Sequence, residues 1–260
     1  GKSENKFGIP YLKAVELYAE ARRLPAVSVE GIHMHIGSQI TDLAPFRDAF
    51  RLMRDLTLEL RREGHDIRHL DIGGGLGVPY RGSNDVPPHP DEYAALVKAA
   101  LGDLGAKIYL EPGRMIAGNA GILVTRVVYV KQGAGKRFTI VDGAMNDLIR
   151  PTLYEAYHEV WPVTEALSQE PPVLQDIVGP VCETGDYLAL ERTLAPFEAG
   201  DLVAVMTAGA YGAVMSSTYN TRPLVPEILV NEAAYEIVRA RPTYDELIGL
   251  DRLPAWLAEA

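Results

Sequence analysis

The residue best suited to chemistry is the only cysteine of the chain, Cys182. It lies in the stretch Gly179-Pro180-Val181-Cys182-Glu183-Thr184-Gly185-Asp186, so one thiol and two carboxylates share a short turn-forming segment. A lone cysteine cannot close an intramolecular disulfide, and one thiol beside one glutamate offers too few ligands for a structural zinc site. Three interpretations remain open: a proton donor, a nucleophile, or a small buried hydrophobe, since free cysteine is often buried.

A glycine cluster is the second candidate. It reads Gly73-Gly74-Gly75-Leu76-Gly77 after Leu70-Asp71-Ile72, and the missing side chains would let backbone N–H groups cradle an anion such as phosphate. A dinucleotide-binding fold is excluded because its G-x-G-x-x-G fingerprint opens a helix, whereas the sixth position here is Val78 and a proline follows. A tight turn without a ligand is the alternative.

Three further stretches place reactive residues after expected strands. Glu111-Pro112-Gly113-Arg114 puts a carboxylate and a guanidinium where parallel α/β folds keep their active sites, although a surface turn with a solvated ion pair would look the same. His35 ends a strand in His33-Met34-His35-Ile36-Gly37-Ser38-Gln39, and a single histidine there is more often structural than catalytic. Gly209-Ala210-Tyr211-Gly212 follows another expected strand and could be a simple turn.

The elements that must position these residues change in type near residue 115. Before it, amphipathic helices at 11–23, 45–63 and 91–104 alternate with strands at 29–36, 69–72 and 107–110, which is typical of a parallel sheet or barrel. After residue 118 the expected elements are nearly all strands, at 121–131, 137–141, 173–178, 201–206 and 225–230. We therefore expect an α/β domain over residues 1–117 and a β domain over residues 118–260 that carries Cys182 and Tyr211.

The composition excludes several classes of function. The 260 residues are 47% hydrophobic and 23% charged, which argues against disorder. The formal net charge is -10 and the 25 basic residues are scattered, so nucleic acid and anionic membranes are not expected partners and the ligand should be small. The sequence shows no pattern of a membrane span or a signal peptide, and we expect a cytoplasmic protein.

Taken together and in order, five stretches resemble the fold-type III pyridoxal-phosphate decarboxylases. They are His35-Ile-Gly-Ser-Gln, Asp71-Ile-Gly-Gly-Gly, Glu111-Pro-Gly-Arg, Gly179-Pro-Val-Cys182-Glu and Gly209-Ala-Tyr211. Within that group, three motifs are most similar to those of the diaminopimelate decarboxylases. They are Arg150-Pro151-Thr152-Leu153-Tyr154, the Cys-Glu-Thr-Gly-Asp form and Asn220-Thr-Arg-Pro. The resemblance covers essentially the whole chain. It implies a partial (β/α)8 TIM-type barrel that binds pyridoxal 5'-phosphate, followed by an antiparallel β-barrel or sandwich domain.

The resemblance also implies a role for each candidate residue. Glu111 would pair with the pyridine nitrogen of the cofactor, and His35 would stack on its ring. Cys182 would act as a general acid that returns a proton to the α-carbon after carbon dioxide leaves. The phosphate and the rest of the cofactor would be bound by Ser38, Gly73, Gly74, Gly75, Pro112, Gly113, Arg114 and Tyr211. The distal end of an amino-acid substrate would be bound by Arg114, Arg150, Tyr154, Glu183 and Tyr211.

The implied reaction is decarboxylation of meso-2,6-diaminopimelate to L-lysine, the last step of lysine biosynthesis, by a homodimer in which the partner's Cys182 loop completes each site. A decarboxylase of ornithine, arginine or carboxynorspermidine would share the cofactor motifs but would not need two arginines for a distal carboxylate. A non-catalytic regulatory homologue would typically have lost Cys182 or its acidic neighbour, and both are present. A scaffold whose motifs are only turns is disfavoured by the order of five motifs.

One feature departs from the family pattern. The family attaches its cofactor covalently to a lysine in an early barrel strand, and no lysine here occupies such a motif. Residues 1–8 instead resemble a loop midway through the barrel, and the chain before residue 115 supplies about three strand-helix units against eight in a complete barrel. We therefore expect the C-terminal portion of a longer enzyme, whose remaining segment is absent or a separate chain.

Overall fold

The computed structural model describes residues 6–82 and 86–258, and the chain divides into two compact units, Gly1–Gly118 and Asn119–Ala260. The segment 1–8 that resembles a family loop lies mostly outside the described residues. In the first unit, strands alternate with helices, as the sequence predicts. The elements are α1 (Ala14–Ala21), β1 (Gly31–His33), α2 (Ala44–Arg62), β2 (His69–Asp71), α3 (Pro90–Leu101), β3 (Lys107–Tyr109) and α4 (Gly113–Ala117).

The three strands of the first unit form one parallel sheet in the order β1-β2-β3. Ile32, Leu70 and Ile108 are in register across it, and Ile32 and Leu70 are buried. Because successive side chains of a strand point to opposite faces, His33 is exposed at the end of β1. The described residues contain three parallel strands with their helices, without closure into a barrel.

Helix α2 covers this sheet because its apolar residues recur at helical spacing. Phe46, Phe50, Met53 and Leu60 are all at most 2% exposed. Burying each side chain of this size contributes about 1.5–3 kcal/mol. The ring of Phe46 also packs edge-on against Tyr93 of α3, with 5.0 Å between the ring centroids. These contacts fix the sheet from which the loops after β1, β2 and β3 emerge.

The second unit is built around a six-stranded sheet and an exposed hairpin. Its elements are β4 (Leu123–Gln132), β5 (Arg137–Val141), α5 (Arg150–Tyr154), β6 (Val160–Pro162), β7 (Val173–Val178), β8 (Tyr187–Leu194), β9 (Leu202–Val205), β10 (Glu227–Asn231), β11 (Ala234–Arg239), α6 (Tyr244–Ile248) and α7 (Ala255–Ala258). The sheet order is β6-β9-β4-β5-β7-β8, and β10 pairs with β11. The edge strands β6 and β8 contact each other, so the sheet is nearly closed into a barrel.

The expectation of a purely antiparallel β domain is wrong, because β5 and β7 pair in parallel. Residues 142–172 connect these strands and contain α5 and β6. A connection of this length returns the chain to the end where β5 began, which a parallel pair requires and a short hairpin cannot achieve. The other neighbouring strands of the sheet are antiparallel. The sheet is therefore mixed.

The sequence pattern does not reveal β6, β8 and β11. Strand β6 has only three residues, β8 interrupts its apolar pattern with Glu191-Arg192, and β11 has no buried face. The predicted strand at 29–36 is only Gly31–His33 in the structure, since the chain turns into the site loop after it. In the part of the chain that the structure describes, no helix has the length and apolarity needed to cross a bilayer.

Candidate active site

The carboxyl ends of the three parallel strands bring His33, Asp71 and Glu111 together. His33 is in register with Asp71, and Glu111 follows β3 by two residues. One nitrogen or oxygen atom from each of the three side chains lies within 4.8 Å of the others, and His33 Nε2 is 3.5 Å from Glu111 Oε2. The carboxyl ends of parallel strands meet at one edge of a sheet, which is where such folds place ligands.

The contact between His33 and Glu111 contributes little to the stability of the fold. Both side chains are more than half exposed, and exposed ion pairs contribute only about 0–1 kcal/mol. His33 is not among the residues predicted for the site. His33 and His35 lie on the same face of β1 and of the segment that follows it. This two-residue spacing is the signal that would have identified His33.

The residues of the glycine cluster must be glycines because neighbouring backbone atoms leave no room for side chains. A Cβ on Gly73 would lie 2.5 Å from the carbonyl oxygen of Met34, and one on Gly74 would collide with the carbonyl oxygen of Glu111. Gly75 makes an equally close approach to the loop after β1, and its φ of 100° favours glycine. The missing side chains thus let three loops pack together, a reason that sequence reasoning did not supply.

Two amides of this cluster fit an anion. Gly73 N donates to Asp71 Oδ1 at 2.9 Å, and Gly113 N donates to the carbonyl oxygen two residues before it at 2.8 Å. Within residues 6–82 and 86–258, no hydrogen-bond acceptor faces the amides of Gly74 and Gly75. Gly74 is buried, and buried N–H groups almost always have a partner. The amides of Gly74 and Gly75, more than those of Gly73 and Gly113, therefore suit a phosphate.

Arg114 lies beside the predicted phosphate-binding hydroxyl of Ser38. Its Nε and Nη2 atoms donate to Ser38 Oγ at 3.3 and 3.1 Å. Its Nη1 donates to the hydroxyl of Tyr80, and its guanidinium carbon lies 5.7 Å from the centroid of the Tyr80 ring. His35 is exposed. It lies near the same loops, since a Cβ on Gly73 would be 3.1 Å from His35 Nδ1. Tyr80 was not predicted, since nothing in its local sequence marks it.

In the second unit, the Cys182 loop is shaped by the buried carboxylate of Asp186. Its Oδ2 accepts a hydrogen bond from the amide of Val181 at 2.7 Å, and its Oδ1 accepts one from the amide of Met145 at 2.6 Å. Asp186 is 4% exposed, and a Cβ on Gly179 would collide with its carboxylate. Cys182 is exposed, so its interpretation as a small buried hydrophobe is wrong.

The Cys182 loop is also bonded to helix α5. Thr152 Oγ1 donates to the carbonyl oxygen of Gly185 at 2.5 Å, and a Cβ on Gly185 would lie 2.9 Å from Thr152 Cγ2. Helix α5 begins with Arg150 and ends with Tyr154. The structure therefore joins the thiol-bearing loop to the helix that carries two of the predicted substrate-binding residues, although about 30 residues separate them in the sequence.

The predicted substrate-binding residues of the second unit differ in exposure. Tyr154 is 60% exposed and Glu183 is exposed, whereas Arg150 is 7% exposed and lies against the buried side chain of His158. Tyr211 follows β9 with a left-handed φ of 59° and is 44% exposed. The predicted residues thus fall into two groups, one in each unit.

The Asn220-Thr-Arg-Pro motif supplies a structural contact. Arg222 Nε donates to Asn146 Oδ1 at 2.9 Å, and Arg222 Nη2 lies 3.6 Å from Asp147 Oδ2. Burial raises the pKa of Asp147 above its ordinary value, while a hydrogen bond from the amide of Ala144 and the charge of Arg222 oppose this rise. The motif therefore stabilises the segment before α5.

Comparison with known proteins adds the family. The model of the C-terminal sheet domain of pyridoxal-dependent decarboxylases matches residues 17–209, which is most of the chain. This chain belongs to the pyridoxal-dependent decarboxylase family. The match includes the predicted residues of both groups except Tyr211, which lies two residues beyond it.

Several similar proteins are named diaminopimelate decarboxylase. The diaminopimelate decarboxylase of Aquifex aeolicus is 46% identical over 95% of this chain, and that of Pseudomonas aeruginosa is 49% identical over 97%. The crystal structure of the Helicobacter pylori diaminopimelate decarboxylase complexed with L-lysine superimposes with a TM-score of 0.89 at 37% identity, over 96% of this chain. The chain spans only 58% and 60% of the length of the first two and 61% of the third.

Proposed function

We propose that the protein to which this chain belongs decarboxylates meso-2,6-diaminopimelate to L-lysine with pyridoxal 5'-phosphate. The observation that carries the proposal is the hydrogen bond between Thr152 of helix α5 and Gly185 of the Cys182 loop. It combines a proton donor with an arginine and a tyrosine that suit a second, distal carboxylate. The names of the relatives support the same substrate, although they describe proteins longer than this chain.

The residues of the first unit fit the cofactor. When bound, pyridoxal phosphate supplies a sink for the electrons released as the carboxylate leaves. Glu111, directed by His33, holds a proton on the pyridine nitrogen because a nearby negative charge favours the cationic form. His35 covers one face of the ring. The phosphate is held by the two glycine amides with Ser38, and by Pro112, Gly113 and Arg114 around them.

The residues of the second unit act on the substrate. Cys182 delivers a proton to the α-carbon after carbon dioxide has left, a step that its exposure permits. Arg150 donates to the distal carboxylate as a planar fork, and Tyr154 adds a hydroxyl. Glu183 binds the distal ammonium group. Tyr211 contributes its hydroxyl to the phosphate or the substrate.

Two other functions remain as outcomes of the test. A decarboxylase of ornithine, arginine or carboxynorspermidine would have no use for an arginine fork at the distal end. A regulatory homologue would bind the cofactor without turnover. The exposed pair of Cys182 and Glu183, held by Asp186, supports a catalytic protein over a regulatory one.

The assembly is also part of the proposal. We propose that the three parallel strands belong to an eight-stranded barrel completed by chain outside these 260 residues, which also supplies the cofactor lysine. The working enzyme is a cytoplasmic homodimer in which each Cys182 loop serves the partner's site. Mixing a Cys182→Ala subunit with a subunit that lacks the cofactor lysine would then restore activity.

The hairpin β10–β11 supports association with another surface. Six of its large apolar residues are more than half exposed, and they lie on both faces of the hairpin: Ile228, Leu229, Val230, Tyr235, Ile237 and Val238. A two-stranded ribbon is only marginally stable in water, and large exposed apolar patches usually mark interaction sites.

The decisive experiment compares substrates for the complete enzyme and for its Arg150→Gln variant. The enzyme should release carbon dioxide from meso-diaminopimelate in preference to ornithine, arginine and carboxynorspermidine. Arg150→Gln should lower kcat/KM for meso-diaminopimelate about ten- to a hundredfold, the value of a charge-assisted hydrogen bond. Turnover of lysine, which lacks the second carboxylate, should hardly change.

The control is Arg126→Gln. It removes a different arginine of the same unit, one that donates to the backbone carbonyl oxygen of Gly200. This variant should keep the substrate preference. Equal losses on both substrates in Arg150→Gln would show that Arg150 supports the fold or the cofactor. Preference for a monocarboxylic substrate in the unmodified enzyme would refute the proposed function.

A further inference from the structure

A buried histidine lies behind the predicted substrate arginine. His158 is 1% exposed, and its Nε2 is 2.8 Å from Arg150 Nη1. Its other ring nitrogen, Nδ1, is 2.8 Å from the carbonyl oxygen of Met206, directly after β9. The imidazole therefore bridges the first residue of α5 and the end of a central strand of the sheet.

The contacts with Arg150 and with the carbonyl oxygen of Met206 decide which ring nitrogen of His158 carries a proton. A guanidinium only donates hydrogen bonds, so Nε2 must present its lone pair to Arg150. A backbone carbonyl only accepts, so Nδ1 must carry the proton that points to Met206. His158 is consequently the neutral Nδ1–H tautomer in this arrangement.

This bridge fixes the direction of the guanidinium. The backbone around His158 is itself held, because its carbonyl oxygen accepts from Arg192 Nη1 at 2.9 Å and Met206 N donates to the carbonyl oxygen of Glu159 at 2.8 Å. An arginine side chain has many rotamers, and part of this freedom is lost whenever its fork must be oriented for a ligand. A rigid acceptor behind the fork means that this loss occurs on folding and not on binding.

We propose that His158 is a positioning residue that orients Arg150 toward the distal carboxylate of the substrate. The proposal rests on the proposed function for the identity of that carboxylate, but the contact itself belongs to this chain. Nothing in the local sequence Tyr157-His158-Glu159 marks the residue, since Arg150 and Met206 are 8 and 48 residues away.

The test uses the complete enzyme with three variants. His158→Phe keeps a planar ring and removes both nitrogens. His158→Gln keeps one acceptor and one donor on a single planar group, so it can replace both bonds. His65→Phe is the matched control, because His65 is also a buried histidine, at 7% exposure, and packs edge-on against Tyr18 in the other unit.

His158→Phe should raise KM for meso-diaminopimelate about tenfold or more with a smaller change in kcat, and His158→Gln should restore most of the loss. Equilibrium binding gives a readout that does not depend on turnover. L-Lysine has a single carboxylate, which occupies the distal position when lysine binds as the reaction product, so it should bind about tenfold more weakly to His158→Phe. The affinity for 1,5-diaminopentane, which has no carboxylate, should not change.

The outcomes separate the two proposals. If the unmodified enzyme does not act on meso-diaminopimelate, the proposed function fails, while nitrogen NMR of His158 still tests the bridge through the Nδ1–H tautomer. If the enzyme acts on it but His158→Phe keeps the same KM and the same affinity for L-lysine, the positioning role fails alone. Parallel losses of kcat and folding stability in His158→Phe and His65→Phe, without recovery in His158→Gln, would reduce His158 to a structural residue.

Discussion

At the scale of single residues, exposed groups are held by buried ones. Cys182 and Glu183 are exposed, whereas Asp186 in the same loop is buried and accepts two backbone amides. Arg150 differs from them, because it is itself only 7% exposed and lies against the buried His158. Reactive groups must reach a substrate, but hydrogen bonds that orient them are stronger away from water. Side chains that carry chemistry and side chains that fix its geometry are therefore different residues here.

Replacing Cys182 by alanine in the complete enzyme tests the proposed proton donor. We expect turnover to fall about a hundred- to ten-thousandfold, the usual contribution of a general acid, with little change in cofactor binding. Because the side chain is exposed, the unfolding midpoint should not change. Thr184→Ala, an exposed neighbour in the same loop, is the control and should keep full turnover. Unchanged turnover in Cys182→Ala would remove the thiol from the reaction.

At the level of elements, two side chains connect the Cys182 loop to its neighbours. Asp186 joins the Cys182 loop to the residues before α5, and Thr152 joins that loop to α5 itself. Asp147, bonded to Ala144 and close to Arg222, holds the same segment from its other side. These contacts make the loop and the helix one unit, so a change in one should be felt in the other.

We expect Asp186→Asn to lower the free energy of unfolding by about 1.5–3 kcal/mol, because one of the two amides it binds would face an NH2 group instead of an oxygen. Urea unfolding measures the loss. Amide exchange at Val181 should accelerate as well. Glu170→Gln, which changes an exposed acid outside this network, should leave both measurements unchanged. Equal stability in Asp186→Asn would show that the carboxylate is not the anchor of the loop.

The buried Asp147 predicts a pH dependence with a definite sign. Its pKa is raised from the ordinary value of 3.8, chiefly by burial, so the folded chain binds this proton more tightly than the unfolded chain. As pH rises from 3.8 through the higher folded pKa, the contribution of this group to stability must therefore fall. Asp147→Asn does not titrate. The stability difference between the unmodified chain and this variant should decline over that window, and a constant difference would contradict the assignment.

At the scale of the whole molecule, each unit has its own core. The first is centred on Phe46, Phe50 and Leu70, and the second on Val141, Ile177 and Phe197. Cofactor residues are predicted mainly in the first unit and substrate residues in the second. The chain spans about three fifths of the length of its relatives, and we expect the cofactor lysine to lie outside it.

This distribution predicts that the 260-residue chain alone has negligible decarboxylase activity and binds pyridoxal phosphate at best without a covalent bond. Incubation with the cofactor, borohydride reduction and peptide mapping check it. A pyridoxyl group fixed on one lysine of this chain, accompanied by release of carbon dioxide from meso-diaminopimelate, would contradict the prediction. Intact mass and the absorbance spectrum of the complete enzyme provide the comparison.

The local sequence pattern determines much of this protein's secondary structure. The alternation of helices and strands in the first unit and the boundaries of β5 and β7 follow from periodicities of 3.6 and 2 residues. The candidate residues stood out because their types and neighbours are suited to chemistry. Such signals are contained in short windows and can be read without knowing the path of the chain.

Tertiary structure alone decided which residues meet. Three contacts join residues that are far apart in the sequence. They are the bridge from Arg150 through His158 to Met206, the hydrogen bond of the Cys182 loop to Met145, and the contact of His33 with Glu111. The parallel pairing of β5 with β7 likewise depends on the long connection between them. Contacts of this kind arise from the packing of elements against each other, and no local periodicity encodes them.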